Sequence, residues 1–552
     1  MKKNGAGIIV ETLVAHGVKD VFGYPGGSVL DLYDALYQNS DRINHYITCH
    51  EQGAAHAADG YARATGKTGV VIATSGPGAT NLVTGLATAY LDSVPMVAIT
   101  GNVPLPLIGK DSFQEVDICG VTMPITKHNY FVRDIATLED IICEAFQIAQ
   151  SGRPGPVLID VPKSIQFETC DFRGGKPLAL FDQTYVPDDK LAEVADIINE
   201  SKRPYIYCGG GVVTANVSDE LIKLAEKIDA PIGCTLMGLS GVNANHPSAL
   251  GMVGMHGRYC ASKVKAESDL IIAIGSRFSD RATGDKEVYR ANKKIVHIDI
   301  DDAEVDKNIT CDCSVVGDIK EILPRLAAMC NQMKHDEWGK TVLEYKKKCR
   351  EMYSPKGFTP RNIIKTVNKY TDIDTVIATD VGQHQMWVAQ HYNFEKPRTF
   401  LTSGGLGTMG FGVGAIIGSS IALGNRKAVL FTGDGSFHMN MNEVATAVRH
   451  SLPIVVVLLN NSVLGMVRQW QGQFYDKRYS QTTMNRPTDY VKLAEAFGAE
   501  GYRAENQEEL EIALNKAFES EKPVVINCVI DCDERVLPMI PPGKAVADMI
   551  ID

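Results

Sequence analysis

The chain has 552 residues, 45% of them hydrophobic and 22% charged, with a formal net charge of −11. That length suggests about three or four domains, and the acidic balance argues against a nucleic-acid partner. The longest apolar runs are strand-sized, so no membrane span is expected, and thirteen cysteines without a CxxC pair suit free thiols in a reducing cytoplasm better than a disulfide framework or a metal site.

The opening stretch, MKKNGAGIIVETLVAHG, lacks a signal-peptide core and predicts the start of an amphipathic helix. Short β-branched runs then alternate with helix-length segments: GVVIAT, PMVAITG, PVLIDVP, PYIYCGGG, LIIAIGS, KIVHIDID, AVLFTGDG, PIVVVLLNN and PVVINCVID. Such alternation predicts an α/β protein of doubly wound parallel sheets with helices on both faces. Two stretches interrupt it. Residues 166–190 are irregular, and 331–360, rich in charge, predict an exposed connecting helix and loop. The breaks give three units, 1–165, 190–330 and 360–552.

An internal repeat links the first and third units. Shifted by 358, residues 51–102 align without gaps on 409–460, with thirteen of fifty-two positions identical. Two copies of one fold are therefore expected, and their differences are informative. Glu51 falls opposite Met409, and Asp434 falls opposite Gly76. One copy carries an acid; the other carries oxygen ligands.

In VLFTGDGSF, at 429–437, an apolar strand stops at a Gly-Asp-Gly turn, and PIVVVLLNN, at 453–461, ends in two asparagines. Asp434 and Asn461 are thus expected on adjacent strands at the carboxyl edge, where open α/β sheets bind ligands. Their oxygens suit Mg²⁺ or Ca²⁺, and Gly435 and Ser436 lead into a helix N-terminus that favours phosphate. The pattern reads as a metal–diphosphate anchor. Glu51, among alanines and glycines, is expected to be poorly solvated, which raises a carboxyl pKa and fits it for proton exchange; the alternative is a charge that serves the helix dipole.

GDG followed by NN resembles the thiamine-diphosphate signature. The similarity becomes specific through FGYPGGSVLDLYDAL, HEQGAAHAADGYARATG, DSFQEVD, GRPGPVLIDVPK, GMHG, VGQHQMW, SGGLGTMGFG, GMVRQWQ and RVLPMIPPGKAVADMI. These look like the catalytic subunit of the acetohydroxyacid synthase (acetolactate synthase) family, in family order along the chain. The resemblance implies decarboxylation of pyruvate on thiamine diphosphate and condensation of its two-carbon unit with pyruvate or 2-ketobutyrate, the first common step of branched-chain amino-acid synthesis. It also implies Mg²⁺, a structural FAD, a homodimer or homotetramer with active sites at the dimer interface, and a small regulatory subunit.

Residue roles follow by the same similarity. Asp434, Asn461 and the carbonyl of Val463 match the metal ligands. Glu51 matches the acid that hydrogen-bonds the aminopyrimidine, and Met409 the apolar residue that keeps the cofactor bent. Gly382 and His384 match the diphosphate loop, with further cofactor contacts implied at Gly407, Gly435, Ser436, Leu464, Gly465 and Met466. Gly27, Gln114 and Lys163 match active-site positions. Phe113 matches the adjacent pocket, Arg281 the arginine that receives the acceptor carboxylate, and Trp470 the wall of the acceptor pocket. The middle unit lacks GxGxxG. By resemblance it holds FAD through Arg153, Gly209, Gly210, His256, Arg277, Asp280 and Asp299. Ser279 departs from the usual aspartate, and Ser28 stands where alanine is common.

Rival readings are a sister carboligase or pyruvate oxidase, including the FAD-free catabolic acetolactate synthase, and a non-catalytic protein that kept the fold. Arg281 with Trp470 argues against the first group. Glu51 with Asp434 argues against the second.

Overall fold

A computed structural model describes residues 1–181, 185–352 and 357–552. Three six-stranded parallel sheets follow one another along the chain. The first has the spatial order 44–47, 20–24, 69–73, 96–102, 156–162 and 128–131; the third has 400–401, 376–379, 428–433, 454–460, 524–529 and 500–504. Ranked by sequence, both read 2-1-3-4-6-5, so the two copies share a topology. The middle sheet runs 249–252, 232–234, 204–208, 270–274, 294–299 and 313–316, which is the 3-2-1-4-5-6 order of a dinucleotide-binding fold.

All nine predicted strands are present, and they occupy the third, fourth and fifth places of each sheet. Gly69–Ala73, Pro204–Cys208 and Ala428–Gly433 are buried at every residue, because helices cover both faces of a parallel sheet and both sides of each strand must then be apolar.

The two copies pack through equivalent helices, Glu51–Thr65 and Phe411–Ala422. A Cβ on Gly60 would lie 2.1 Å from the Ala415 carbonyl oxygen, and one on Gly418 would lie 1.8 Å from that of Ala57. Those two contacts are related by the shift of 358. So are the His56 contact with Phe411, at 5.3 Å between rings, and the approach of Gly414 to the Gly53 carbonyl. The helices therefore cross about a pseudo-twofold axis, and only glycine lets the backbones come this close.

Two expectations change. Helix Gly5–Ala15 is not amphipathic, since Ile8, Ile9, Val10 and Leu13 are all fully buried; its strand-like neighbour Lys2–Asn4 pairs antiparallel with Thr169–Asp171 in the stretch read as irregular. The charged connector forms helix Asp336–Met352, but Trp338 and Cys349 are buried, so one face packs on the middle domain. Residues 353–356 of that connector lie outside the described residues.

Candidate active site

The third sheet builds a cradle from its strand ends. Ala428–Gly433 and Ile454–Asn460 are adjacent parallel strands, and Asp434 and Asn461 follow them directly. Asp434 is 3% exposed. Burial pushes its carboxyl up to about 6, against the opposing effect of the amide groups of Gly435, Asn461 and Ser462. Asn461 donates to Gln383 Oε1 at 3.2 Å and accepts from the Val463 amide at 3.2 Å. The Val463 strand segment is pinned by Leu464 N–H to the Thr482 carbonyl at 2.8 Å. Gly465 is required here, because a Cβ would lie 1.9 Å from Gln383 Oε1. Gly435 faces Leu464 at 2.8 Å in the same sense, and Ser436 Oγ donates to the Val381 carbonyl at 2.9 Å.

The neighbouring strand, Val376–Thr379, delivers Gly382 and His384 to the same edge. A Cβ on Gly382 would meet the His384 ring at 2.7 Å and one on Gly433 at 2.9 Å. Burial lowers the His384 pKa to about 3, so the imidazole is neutral, and its Nε2 is buried without a hydrogen-bond partner. Gly407 has φ +72°. Met409 is half-buried just before the helix at Phe411.

The first sheet gathers a different set. Glu51, 8% exposed, accepts from Asn81 Nδ2 at 2.9 Å. Lys163 Nζ donates to the Gly27 carbonyl at 2.9 Å, and open space lies where a Gly27 Cβ would stand. Gly76, at φ +60°, approaches Gln114 at 2.9 Å, and Gln114 itself has φ +62°. Phe113 is 88% exposed, so within one chain it is not brought to the others. Ser28 is explained locally: its Oγ lies 2.9 Å from Thr74 Oγ1 and accepts from the Ser75 amide at 2.8 Å.

In the middle sheet, strands Pro204–Cys208 and Leu270–Ile274 flank the point where strand order reverses. Gly209 and Gly211 there abut Gly275, with a Gly209 Cβ 1.9 Å from its carbonyl. Gly210 opens the helix Gly210–Ala215. His256 is buried, lowered to about 4 by burial and by Arg281, with Nδ1 unpartnered. Asp299 Oδ1 accepts from the Asp301 amide at 3.1 Å. Arg153 pairs with Glu304 at 2.7 Å and Asp301 at 3.2 Å, and donates to Ser93, joining the first domain to the middle one. Arg277 is half-buried, and Asp280 stands in solvent, 3.7 Å from Arg281.

Arg281 and Trp470 come from different domains, yet the guanidinium sits 5.5 Å from the Trp470 ring centroid, a cation–π contact. Trp470 Nε1 is buried and unpartnered.

Three thiamine pyrophosphate enzyme family profiles match the chain: the N-terminal TPP binding domain over residues 3–121, the central domain over 191–326 and the C-terminal TPP binding domain over 380–528. The chain is 45% identical to the probable acetolactate synthase large subunit of Methanocaldococcus jannaschii, covering 99% of this chain and 95% of the relative. It is 44% identical to the corresponding probable subunit of Methanococcus aeolicus, again over 99% and 95%. It is also 44% identical to the acetolactate synthase isozyme 2 large subunit of Escherichia coli K12, over 99% of both chains.

The chain belongs to the acetolactate synthase large-subunit family of thiamine pyrophosphate enzymes.

Sequence reasoning missed several residues that organise this synthase-family site. Glu443 is fully buried, and its carboxylate accepts from the amides of Cys49 at 3.1 Å and His50 at 3.0 Å and from Thr446 Oγ1 at 2.6 Å. It therefore accepts from the two amides that lead into the Glu51 helix, while Glu51 in the first turn keeps its own contact with Asn81. Asp380 accepts from the Gly412 amide at 2.9 Å and Thr432 Oγ1 at 2.8 Å, and burial pushes its carboxyl up to about 6. Gln383 ties Asn461 to Gln469 and to the Glu534 carbonyl. For Asp380 and Gln383 the only local signal was a polar residue just beyond an apolar run, and Glu443 had none. The residues present fit the cofactors the family implies. Asp434 is a buried carboxylate with no cationic side chain in ion-pair range among the described residues, and His384 Nε2 and His256 Nδ1 are buried polar atoms that lack partners.

Proposed function

We propose that the chain is the catalytic subunit of an acetolactate synthase: it decarboxylates pyruvate and joins the remaining two-carbon unit to pyruvate or 2-ketobutyrate. The observation that carries this is the Arg281–Trp470 contact at 5.5 Å in a chain that also has the Asp434–Asn461 cradle. Thiamine diphosphate, when bound, supplies the electron sink for loss of carbon dioxide. Asp434, Asn461 and the Val463 carbonyl would hold Mg²⁺, whose oxygen-ligand preference they match. His384 Nε2, Ser436 and the amides after Gly382 and Gly435 would face the diphosphate, as would the neighbouring Gly407, Leu464, Gly465 and Met466 for the rest of the cofactor. Met409 would wedge its rings apart.

Glu51 moves a proton at its carboxylate, held by Asn81. Gly27, Gln114 and Lys163 line the reacting space, and Lys163 is oriented by the Gly27 carbonyl. Arg281 offers two parallel N–H groups to an acceptor carboxylate, and Trp470 bounds its alkyl group. FAD would lie at the turn 209–211, with His256, Arg277, Asp299 and the Arg153 and Asp280 regions beside it.

Within one chain, Glu443 of the C-terminal copy holds the amides of Cys49 and His50 just before Glu51, while Asp434 keeps to its own strand ends. This division supports a homodimer or homotetramer in which one subunit's Glu51 serves its partner's cradle, with Phe113 covered there. We take 1–165, 190–330 and 360–552 as the pyrimidine, FAD and diphosphate domains. A small regulatory subunit and a cytoplasmic location belong to the same reading. No helix among the described residues is long and apolar enough to cross a membrane.

The test is incubation of the purified protein with pyruvate, Mg²⁺ and thiamine diphosphate, then acid conversion of the product to acetoin. Acetoin formation with bound, redox-silent flavin supports the reading. An active, flavin-free protein points to the catabolic relative, and no acetoin overturns it.

A further inference from the structure

Between helix Tyr259–Glu267, the segment 280–293 and the C-terminal tail lies a cavity of about 200 Å³. Main-chain bonds hold the tail over it: Ile540 N–H to the Met255 carbonyl at 2.8 Å and Asp285 N–H to the Lys544 carbonyl at 3.3 Å. The wall is mostly apolar, with Val288, Ile540, Pro541 and Val546.

The charged residues Asp280, Arg281, Asp285, Lys293 and Lys544 also line the cavity, and two deeply buried polar groups stand among them. Lys265 is only 4% exposed. Its Nζ donates to the Ala282 carbonyl at 3.0 Å and lies 4.5 Å from the centroid of the Tyr289 ring. Among the described residues no carboxylate is in ion-pair range of it, and the nearest charge is another lysine, Lys293, which also lines the cavity. Tyr289 is 6% exposed, and its hydroxyl is buried without a hydrogen-bond partner.

A buried ammonium is strongly unfavourable unless paired, and a buried hydroxyl normally finds a partner. Both needs point at the same space and call for one ligand. Two neighbouring lysines, Lys265 and Lys293, favour an anion over a metal ion. A phosphate would fill the polar corner and leave the apolar wall wet. An anion with a hydrocarbon body satisfies both parts of the wall. Burial and Lys293 together draw the Lys265 amine down to about 7, the direction expected of a lysine without its counter-ion.

We propose that this cavity binds a small monocarboxylate with a short apolar body, its carboxylate between Lys265 Nζ and the Tyr289 hydroxyl. Such a ligand would act on the loop next to the active site, because Lys265 anchors Ala282, the residue after Arg281. Arg281 also lines the cavity, but the carboxylate position rests on Lys265 and Tyr289 and not on the acceptor role proposed for Arg281.

The probe is 3-methylbutanoate, titrated calorimetrically into the full-length enzyme carrying its cofactors. Saturable binding at one site per chain is expected. A charged hydrogen-bond partner is at stake, so Lys265→Met should weaken binding about tenfold or more. Tyr289→Phe should weaken it by a smaller factor, and Arg281→Gln, also in the lining, should weaken it less than Lys265→Met does. Absence of saturable binding overturns the proposal. So does wild-type affinity in Lys265→Met, or a loss confined to Arg281→Gln, which would assign the binding to the acceptor position. If Lys265→Met fails to fold, uncharged 3-methylbutanamide decides on the wild-type protein: it should bind about tenfold or more weakly than the acid, and equal affinity overturns the proposal.

Discussion

The N-terminal and C-terminal sheets share one strand order, and their equivalent helices Glu51–Thr65 and Phe411–Ala422 press on each other through the same glycines, Gly60 against Ala415 and Gly418 against Ala57. Their carboxyl edges have nothing in common. Where the C-terminal copy ends a strand in Asp434, the N-terminal copy has Gly76; where the N-terminal copy starts its helix with Glu51, the other has Met409. A packed interface tolerates little change, whereas loops at a sheet edge can exchange chemistry without disturbing the core. The duplication thus supplied two scaffolds whose interface stayed fixed while the ligand edges diverged, on the proposed reading into an anchor and a proton-transfer site.

The sharpest way to break that division is Asp434→Ala. The cradle would lose its only carboxylate from this strand pair, so Mg²⁺-dependent thiamine-diphosphate binding should disappear in a titration. Unchanged affinity would mean the anchor lies elsewhere. Glu51→Gln addresses the other copy. Gln keeps the contact with Asn81 but cannot exchange the proton, so turnover should fall by about 10²–10⁴-fold with cofactor affinity and fold retained. Near-normal turnover in that variant would remove Glu51 from the proton-transfer role.

How much of this was visible in the sequence depended on burial. The nine strands read as apolar runs sit in the third to fifth places of their sheets, where both faces are covered. Asp20–Tyr24, Asn44–Ile47, Ile232–Cys234, Phe400–Leu401 and the other outlying strands are short or partly exposed, for example Asn44–Ile47 with no fully buried residue, so their pattern is not continuous. At the site, GDG and NN were legible because each ends a buried run. Arg281 meeting Trp470 came from the resemblance alone, since the residues are far apart in sequence. Glu443 was invisible: it acts on Cys49 and His50 across 394 and 393 residues, and nothing local marks a helix-end acceptor supplied from another domain.

The shared interface can be tested by its symmetry. Gly60→Ala and Gly418→Ala would each drive a methyl group into a facing carbonyl, at 2.1 Å and 1.8 Å before relaxation. Overpacking of this kind costs about 1–3 kcal/mol, so both variants should lower the thermal midpoint by similar amounts. One silent variant beside one damaging variant would show that the two crossings are not equivalent.

The smallest effect expected is on acceptor choice, which the proposed function places on the C-terminal copy and the middle domain rather than on the N-terminal copy. Trp470 lies on helix Gly465–Phe474, four residues after Met466 and therefore on the same face, edge-on to Phe474 at 5.9 Å and under the Arg281 guanidinium. Pyruvate and 2-ketobutyrate differ by one methylene, and a hydrophobic contact with that methylene is worth about 1–3 kcal/mol. Trp470 is only half-buried, so Trp470→Leu should sit near the lower end, shifting the ratio of acetohydroxybutyrate to acetolactate about tenfold towards acetolactate. Competition between the two acceptors, with both products quantified, measures it. A tryptophan that merely packs the helix would lower stability and leave the ratio untouched, and that result would return the specificity wall to another part of the molecule.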